Sequence, residues 1–141
     1  MNNPPRPLIP ADNPIPIRLF PSVACGWPSP AADYEEAPLS LDELVGISAC
    51  STFLVRAKGD SMIGAGIYEG DVLIVDRSVN EQIGHIIIAI VDGDFTVKRF
   101  GRVDGQLALL PENPAYKPLL ASEGEEVQIW GVVTWNLHRL S

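Results

Sequence analysis

Short apolar runs alternate along most of this chain with glycine- and aspartate-containing turns, a pattern that predicts strands rather than helices. Thr52-Phe53-Leu54-Val55-Arg56-Ala57 predicts one strand and Asp71-Val72-Leu73-Ile74-Val75-Asp76 another. Ile83 to Val91 predicts a longer one, and its continuous apolar centre, Ile86-Ile87-Ile88-Ala89-Ile90, calls for burial on both faces. Asp92-Gly93 suits a tight hairpin into Phe95–Phe100, because both residue types tolerate a positive φ. Asp104-Gly105 signals a second hairpin, into Gln106–Leu110. Pro111 to Pro118 reads as a loop, and Val127 to Leu137 as a last strand. About six strands joined by short turns predict a compact, strongly bent, mainly β domain.

One helix interrupts the pattern. In Ser40-Leu41-Asp42-Glu43 the serine hydroxyl can accept from the N–H of Glu43 while Glu43 reaches back, a capping box. Leu41, Leu44 and Val45 are predicted to face the core, and Gly46 to end the helix after about one or two turns.

Residues 1–30 hold nine of the 13 prolines. Proline lacks an N–H donor and fixes φ, so this segment is predicted to be an extended arm, and residues 31–141 the folded body. Ile15-Pro16-Ile17 and Leu19-Phe20 give the arm apolar side chains with which to dock.

Composition narrows the class. At 141 residues and 46% hydrophobic, the chain suits one domain with a single core. Its net charge of -8 argues against direct binding to nucleic acid, whose backbone attracts basic surfaces. The two cysteines, Cys25 and Cys50, form no CxxC pair, so neither a disulfide framework nor a metal site is indicated, and no cofactor is called for. No apolar run is long enough for a signal peptide or a membrane span. The expectation is a soluble, cytoplasmic protein.

Ser61, in Gly59-Asp60-Ser61-Met62, is a candidate nucleophile, but a serine hydroxyl needs a neighbour to take its proton. The two histidines, His85 and His138, read better as satisfied side chains at strand ends. Lysine can serve as the base instead. At its reference pKa only about one amine in two thousand is neutral at pH 7, and burial raises that fraction by depressing the pKa. Lys98, in Phe95-Thr96-Val97-Lys98-Arg99, shares a strand face with Thr96 and Phe100. From the strand alone, a solvent-facing lysine is the better reading. Ser61 likewise reads as an ordinary turn serine when taken alone.

The whole arrangement changes that balance. Ala24-Cys25-Gly26-Trp27-Pro28-Ser29-Pro30-Ala31-Ala32-Asp33-Tyr34 is followed in order by Gly59-Asp60-Ser61-Met62-Ile63, Gly70-Asp71-Val72-Leu73-Ile74-Val75-Asp76, Val91-Asp92-Gly93 and Phe95-Thr96-Val97-Lys98. From Ala24 to about Val133 the chain resembles the UmuD branch of the LexA-like self-cleaving proteins. The resemblance implies that Ser61 is the nucleophile, Lys98 the general base and Cys25-Gly26 the bond cut. The oxyanion hole would come from backbone N–H groups around Asp60 and Ser61. Gly26 has no Cβ to obstruct the approach to the scissile carbonyl.

Two stretches depart from the family pattern: Gly84-His85, where Gly-Asp is frequent, and Trp135-Asn136-Leu137-His138-Arg139. The 24 residues before Cys25 are too few and too proline-rich for a DNA-binding helix-turn-helix, which disfavours a repressor. The resemblance thus implies a self-cleaving accessory subunit of an error-prone translesion polymerase in the SOS DNA-damage response. Its implied partners are a second copy of itself in a homodimer, a RecA-type recombinase filament on single-stranded DNA, and a UmuC-like catalytic subunit of a Y-family DNA polymerase. Two rival readings are a signal-peptidase-like protease acting on other proteins and a non-catalytic β domain that binds a polymerase.

Overall fold

The computed structural model describes residues 10–19, 36–48, 50–121 and 126–141. Two short strands, β1 (Ile17–Leu19) and β2 (Glu36–Leu39), pair antiparallel as a separate two-stranded sheet. Helix α1 (Leu41–Val45) follows. Seven further strands form one antiparallel sheet: β3 (Thr52–Arg56), β4 (Val72–Asp76), β5 (Ile86–Val91), β6 (Asp94–Val103), β7 (Gln106–Leu110), β8 (Leu119–Leu120) and β9 (Val127–Leu137). Their order is β3-β4-β9-β5-β6-β7-β8. The mainly β expectation holds.

The last strand lies inside the sheet, between β4 and β5, and bends it. Against β4 the register shifts between Ile74 (opposite Trp135) and Val75 (opposite Val133), which leaves Thr134 as an extra residue. Against β5 it shifts between Ile88 (opposite Gly131) and Ala89 (opposite Ile129), leaving Trp130. Each bulge kinks its strand and increases the local twist. The Trp130 ring meets Phe53 and Phe95 edge-on at 5.0 and 5.6 Å, and Arg77 lies over it at 4.7 Å.

The apolar centre of β5 is buried on both faces, as its unbroken run requires. Ile88 packs with Leu73, Val75, Met62 and Ile67, while Ile87 and Ala89 pack with Leu109 and Val132. Both hairpin turns have the expected chemistry. Asp92 and Gly93 take φ of 48° and 86°, and Asp104 and Gly105 take 50° and 80°, the paired positive values that match the twist of the flanking strands.

Other expectations need correction. Residues 83–85 are not strand: Gly84 turns at φ 99°, and the Gln82 N–H donates to His85 Nδ1. The predicted cap of α1 is present, with the Ser40 hydroxyl accepting from the Glu43 N–H and Gly46 left-handed at φ 68°. Leu41 and Leu44, however, are exposed, and no residue of α1 is buried. Apolar spacing marks a face but not whether anything covers it. Ile15 and Ile17 of the arm are exposed as well. Main-chain pairing of β1 with β2, and the Ala11 N–H donating to the Asp42 carboxylate, hold this part of the arm instead.

Candidate active site

The turn carrying Ser61 follows β3 and precedes a single 3₁₀ turn, Ile63–Ala65. Gly59 takes φ 83°, a conformation other residue types rarely adopt, and its N–H donates to the Glu69 carboxylate. Three positions on, Met62 is buried in the core and anchors the turn from below. Ser61 itself is partly exposed and borders a cleft of about 150 Å³, whose walls include Val55, Ala57, Ile67, Ile88, Phe95 and Val97.

Lys98 reaches this turn from β6, where it stands opposite Ile87, a residue with no solvent exposure. Its Nζ lies 3.0 Å from Ser61 Oγ, 3.0 Å from Thr96 Oγ1 and 3.0 Å from the Val97 carbonyl. A charged ammonium has three N–H donors, and here each has a partner. A neutral amine keeps two N–H donors, so bonds to Thr96 and Val97 leave its lone pair directed at the Ser61 hydroxyl. Burial pushes the Lys98 pKa below its ordinary value of 10.5, because desolvation disfavours the charged form. The arrangement can hold a serine proton acceptor next to a serine.

The structure therefore brings together Ser61, Asp60 and Lys98, three of the residues singled out in the sequence. Cys25 and Gly26 lie outside the described residues. Neither histidine lines the cleft. His85 accepts from Gln82, and His138 Nδ1 pairs with the Asp71 carboxylate at 2.6 Å. Among the described residues, no group of three or more His, Cys, Asp or Glu side chains is placed to hold a metal ion.

Residues 18–134 match the Peptidase S24-like family. The chain belongs to that family. It is 47% identical to protein SamA of Salmonella typhimurium over 81% of this chain and 79% of that protein. It is 39% identical to protein MucA of Escherichia coli, over 82% of this chain and 79% of MucA. The LexA repressor of Magnetococcus marinus is 35% identical across 84% of this chain, which matches 51% of that repressor.

Several contacts around the site were not legible in the sequence. Asn113 Nδ2 donates to the Asp60 carbonyl at 2.9 Å, and the Tyr116 hydroxyl donates to the Asp60 carboxylate. The Glu112 N–H donates to the Ser61 carbonyl, and its own carbonyl accepts from Gly64 N–H, both at 2.8 Å. On the far side of the 3₁₀ turn, Asp71 is buried and accepts from the Tyr68 N–H, Asn136 and His138. Burial alone would raise the Asp71 pKa, but these hydrogen bonds outweigh it and hold the carboxyl below its ordinary range. Asn136 also donates to the Gly66 carbonyl. The divergent C-terminal stretch thus clasps the segment just downstream of Ser61. A loop reading of Pro111–Pro118 carries no signal for such long-range bonds.

Proposed function

We propose that this chain is a self-cleaving serine endopeptidase of the SOS DNA-damage response, in which Ser61 attacks the Cys25–Gly26 bond and Lys98 is the general base. The observation that carries the reading is the 3.0 Å approach of Lys98 Nζ to Ser61 Oγ, with two further acceptors orienting the amine. Membership of the Peptidase S24-like family and the similarity to a LexA repressor support it.

In this mechanism neutral Lys98 takes the Ser61 proton as Oγ adds to the Cys25 carbonyl carbon. The oxygen of that carbonyl becomes negative and is stabilised by backbone N–H groups of the Asp60–Ser61 turn. Lys98 then gives its proton to the Gly26 nitrogen as the C–N bond breaks. Residues 1–25 stay esterified to Ser61 until water, deprotonated by Lys98, releases them. A narrow cleft walled by Ala57, Ile67 and Val97 favours small residues such as Cys25 and Gly26 at the cut.

Residues 1–30 act as the arm that delivers the bond, and residues 31–141 as the peptidase body. The product, residues 26–141, has 116 residues (141 - 25) and serves as accessory subunit of a UmuC-like translesion polymerase. A RecA-type filament on single-stranded DNA stimulates the cut, and the protein works as a homodimer in the cytoplasm. The acidic body, net -9 beyond Cys25 (8 basic and 17 acidic residues), suits contact with DNA through partners rather than directly. Among the described residues, no helix is long and apolar enough to cross a membrane.

Mass spectrometry after incubation with activated filament tests this reading. It predicts loss of residues 1–25. Cutting only of added peptides points to a protease acting on other proteins, and no cutting to a non-catalytic domain.

A further inference from the structure

The segment after β7 grips the Ser61 turn at consecutive positions. Asn113 holds the Asp60 carbonyl, Tyr116 holds the Asp60 carboxylate, and the Glu112 N–H holds the Ser61 carbonyl. The segment is itself braced. Asn113 Oδ1 accepts from the Ala115 N–H at 3.0 Å, which fixes the amide so that its NH₂ faces Asp60. The Tyr116 N–H donates to the Asn113 carbonyl. The Glu112 carboxylate pairs with Arg99, the residue after Lys98 on β6, and Arg99 also donates to the Gly84 carbonyl. One short segment therefore touches the turn that carries Ser61 and the strand that carries Lys98.

Peptide planarity makes the Asn113 contact directional. In a trans peptide the carbonyl and the following N–H point to opposite sides, and no described peptide bond is cis. With the Asp60 carbonyl held by Asn113, the Ser61 N–H points away from the segment. With the Ser61 carbonyl held by Glu112, the Met62 N–H does the same. Among the described residues the Ser61 N–H donates to no acceptor. Close contact is built in on the other side of the turn: a Cβ on Gly64 would lie 2.5 Å from the Glu112 carbonyl oxygen.

We propose that Asn113 and Tyr116 are positioning residues for Ser61, fixing the Asp60–Ser61 peptide so that the Ser61 N–H faces the oxygen that becomes negative during attack. The inference rests on Ser61 being the nucleophile. Neither side chain touches the reacting atoms. Asn113 acts on the peptide plane, and Tyr116 holds the Asp60 side chain so that the plane cannot swing. The Tyr116 hydroxyl stays a donor well into the alkaline range, because its bond to Asp60 and the nearby carboxylate charge raise its pKa.

The test compares self-cleavage of the full chain from pH 6 to 10 in wild type, Asn113→Ala, Tyr116→Phe, Lys117→Ala and Ser61→Ala, with the thermal midpoint of each. Removing a single oxyanion donor costs about 100–1,000-fold, so misaiming one is expected to cost about 10–100-fold in Asn113→Ala. Tyr116→Phe, which loses only an exposed hydroxyl and keeps the fold, is expected to lose about 3–10-fold. Both pH profiles should be displaced downward in parallel, since the base is untouched, and Lys117→Ala should match wild type. Wild-type rates in both Asn113→Ala and Tyr116→Phe, or a profile shifted along the pH axis, would overturn the proposal. So would a Tyr116→Phe loss that only mirrors a lower thermal midpoint. If Asn113→Ala does not fold, the Tyr116→Phe profile decides alone. Cleavage persisting in Ser61→Ala would sink the nucleophile assignment itself; an inactive Ser61→Ala beside wild-type Tyr116→Phe and Asn113→Ala sinks only the positioning role.

Discussion

Lys98 and Ser61 are 37 residues apart in sequence, yet Lys98 Nζ lies 3.0 Å from Ser61 Oγ. The amine arrives already oriented, because Thr96 Oγ1 and the Val97 carbonyl occupy two of its donors. Thr96→Val keeps the β-branched shape suited to a strand and deletes one of those acceptors. Cleavage in this variant is expected to fall by about tenfold, with stability changed by about 1 kcal/mol or less. Cleavage assays and thermal unfolding on the same preparation check both halves.

Ser61→Ala is expected to abolish cleavage and leave the fold intact, since it removes one hydroxyl from a partly exposed turn. Gly26→Val is expected to slow or stop cleavage, because its branched side chain crowds the carbonyl that Ser61 must reach. Mass spectrometry of both variants after filament treatment checks the pair. A Gly26→Val protein cut at the wild-type rate would move the scissile bond elsewhere.

Gly131 tests the fold rather than the chemistry. It sits in the interior strand β9 beside the Trp130 bulge, and a Cβ there would lie 2.6 Å from Val75 Cγ1. Val75 has no solvent exposure and cannot swing outward. Gly131→Ala is therefore expected to destabilise the domain by about 1–3 kcal/mol, measurable by urea unfolding.

Asp71 gives the fold an acid-sensitive clasp. Its carboxyl pKa is held below the ordinary 3.8 in the folded state, since hydrogen bonds from His138, Tyr68 and Asn136 outweigh the opposing effect of burial. A depressed carboxyl stabilises the fold at pH values above its unfolded pKa, and that contribution is lost as pH falls through the lower folded value. Thermal midpoints of wild type are expected to drop below about pH 4, and those of Asp71→Asn to start lower at pH 7 and fall less steeply. Parallel curves would remove Asp71 from the account.

How far the sequence foretells this structure depends on the range of the interaction involved. Asp92-Gly93, Asp104-Gly105 and the Ser40 cap are local, so the turn chemistry and the bounds of β7 and β9 were legible. Ser61 and Lys98 read as an ordinary turn serine and strand lysine until the resemblance of the surrounding motifs to a known family singles them out. Asn113, Tyr116 and His138 carried no local signal, since their bonds join positions more than 50 residues apart. Leu41 and Leu44 misled because an apolar stripe does not reveal whether a neighbour covers it.

The most direct test of the account is the pH dependence of self-cleavage in wild type and Lys98→Ala between pH 6 and 11. The reactive form of a lysine base is the neutral amine, so the rate should rise with pH and level off above the Lys98 pKa. Burial lowers that pKa, which places the midpoint of the rise below 10.5. Closure of the arm over the cleft should desolvate the amine further and move the midpoint lower still, the direction in which a stimulating filament would act. The account predicts a rising wild-type profile and no cleavage at any pH in Lys98→Ala. A flat wild-type profile, or a mutant that keeps the alkaline rise, would contradict it.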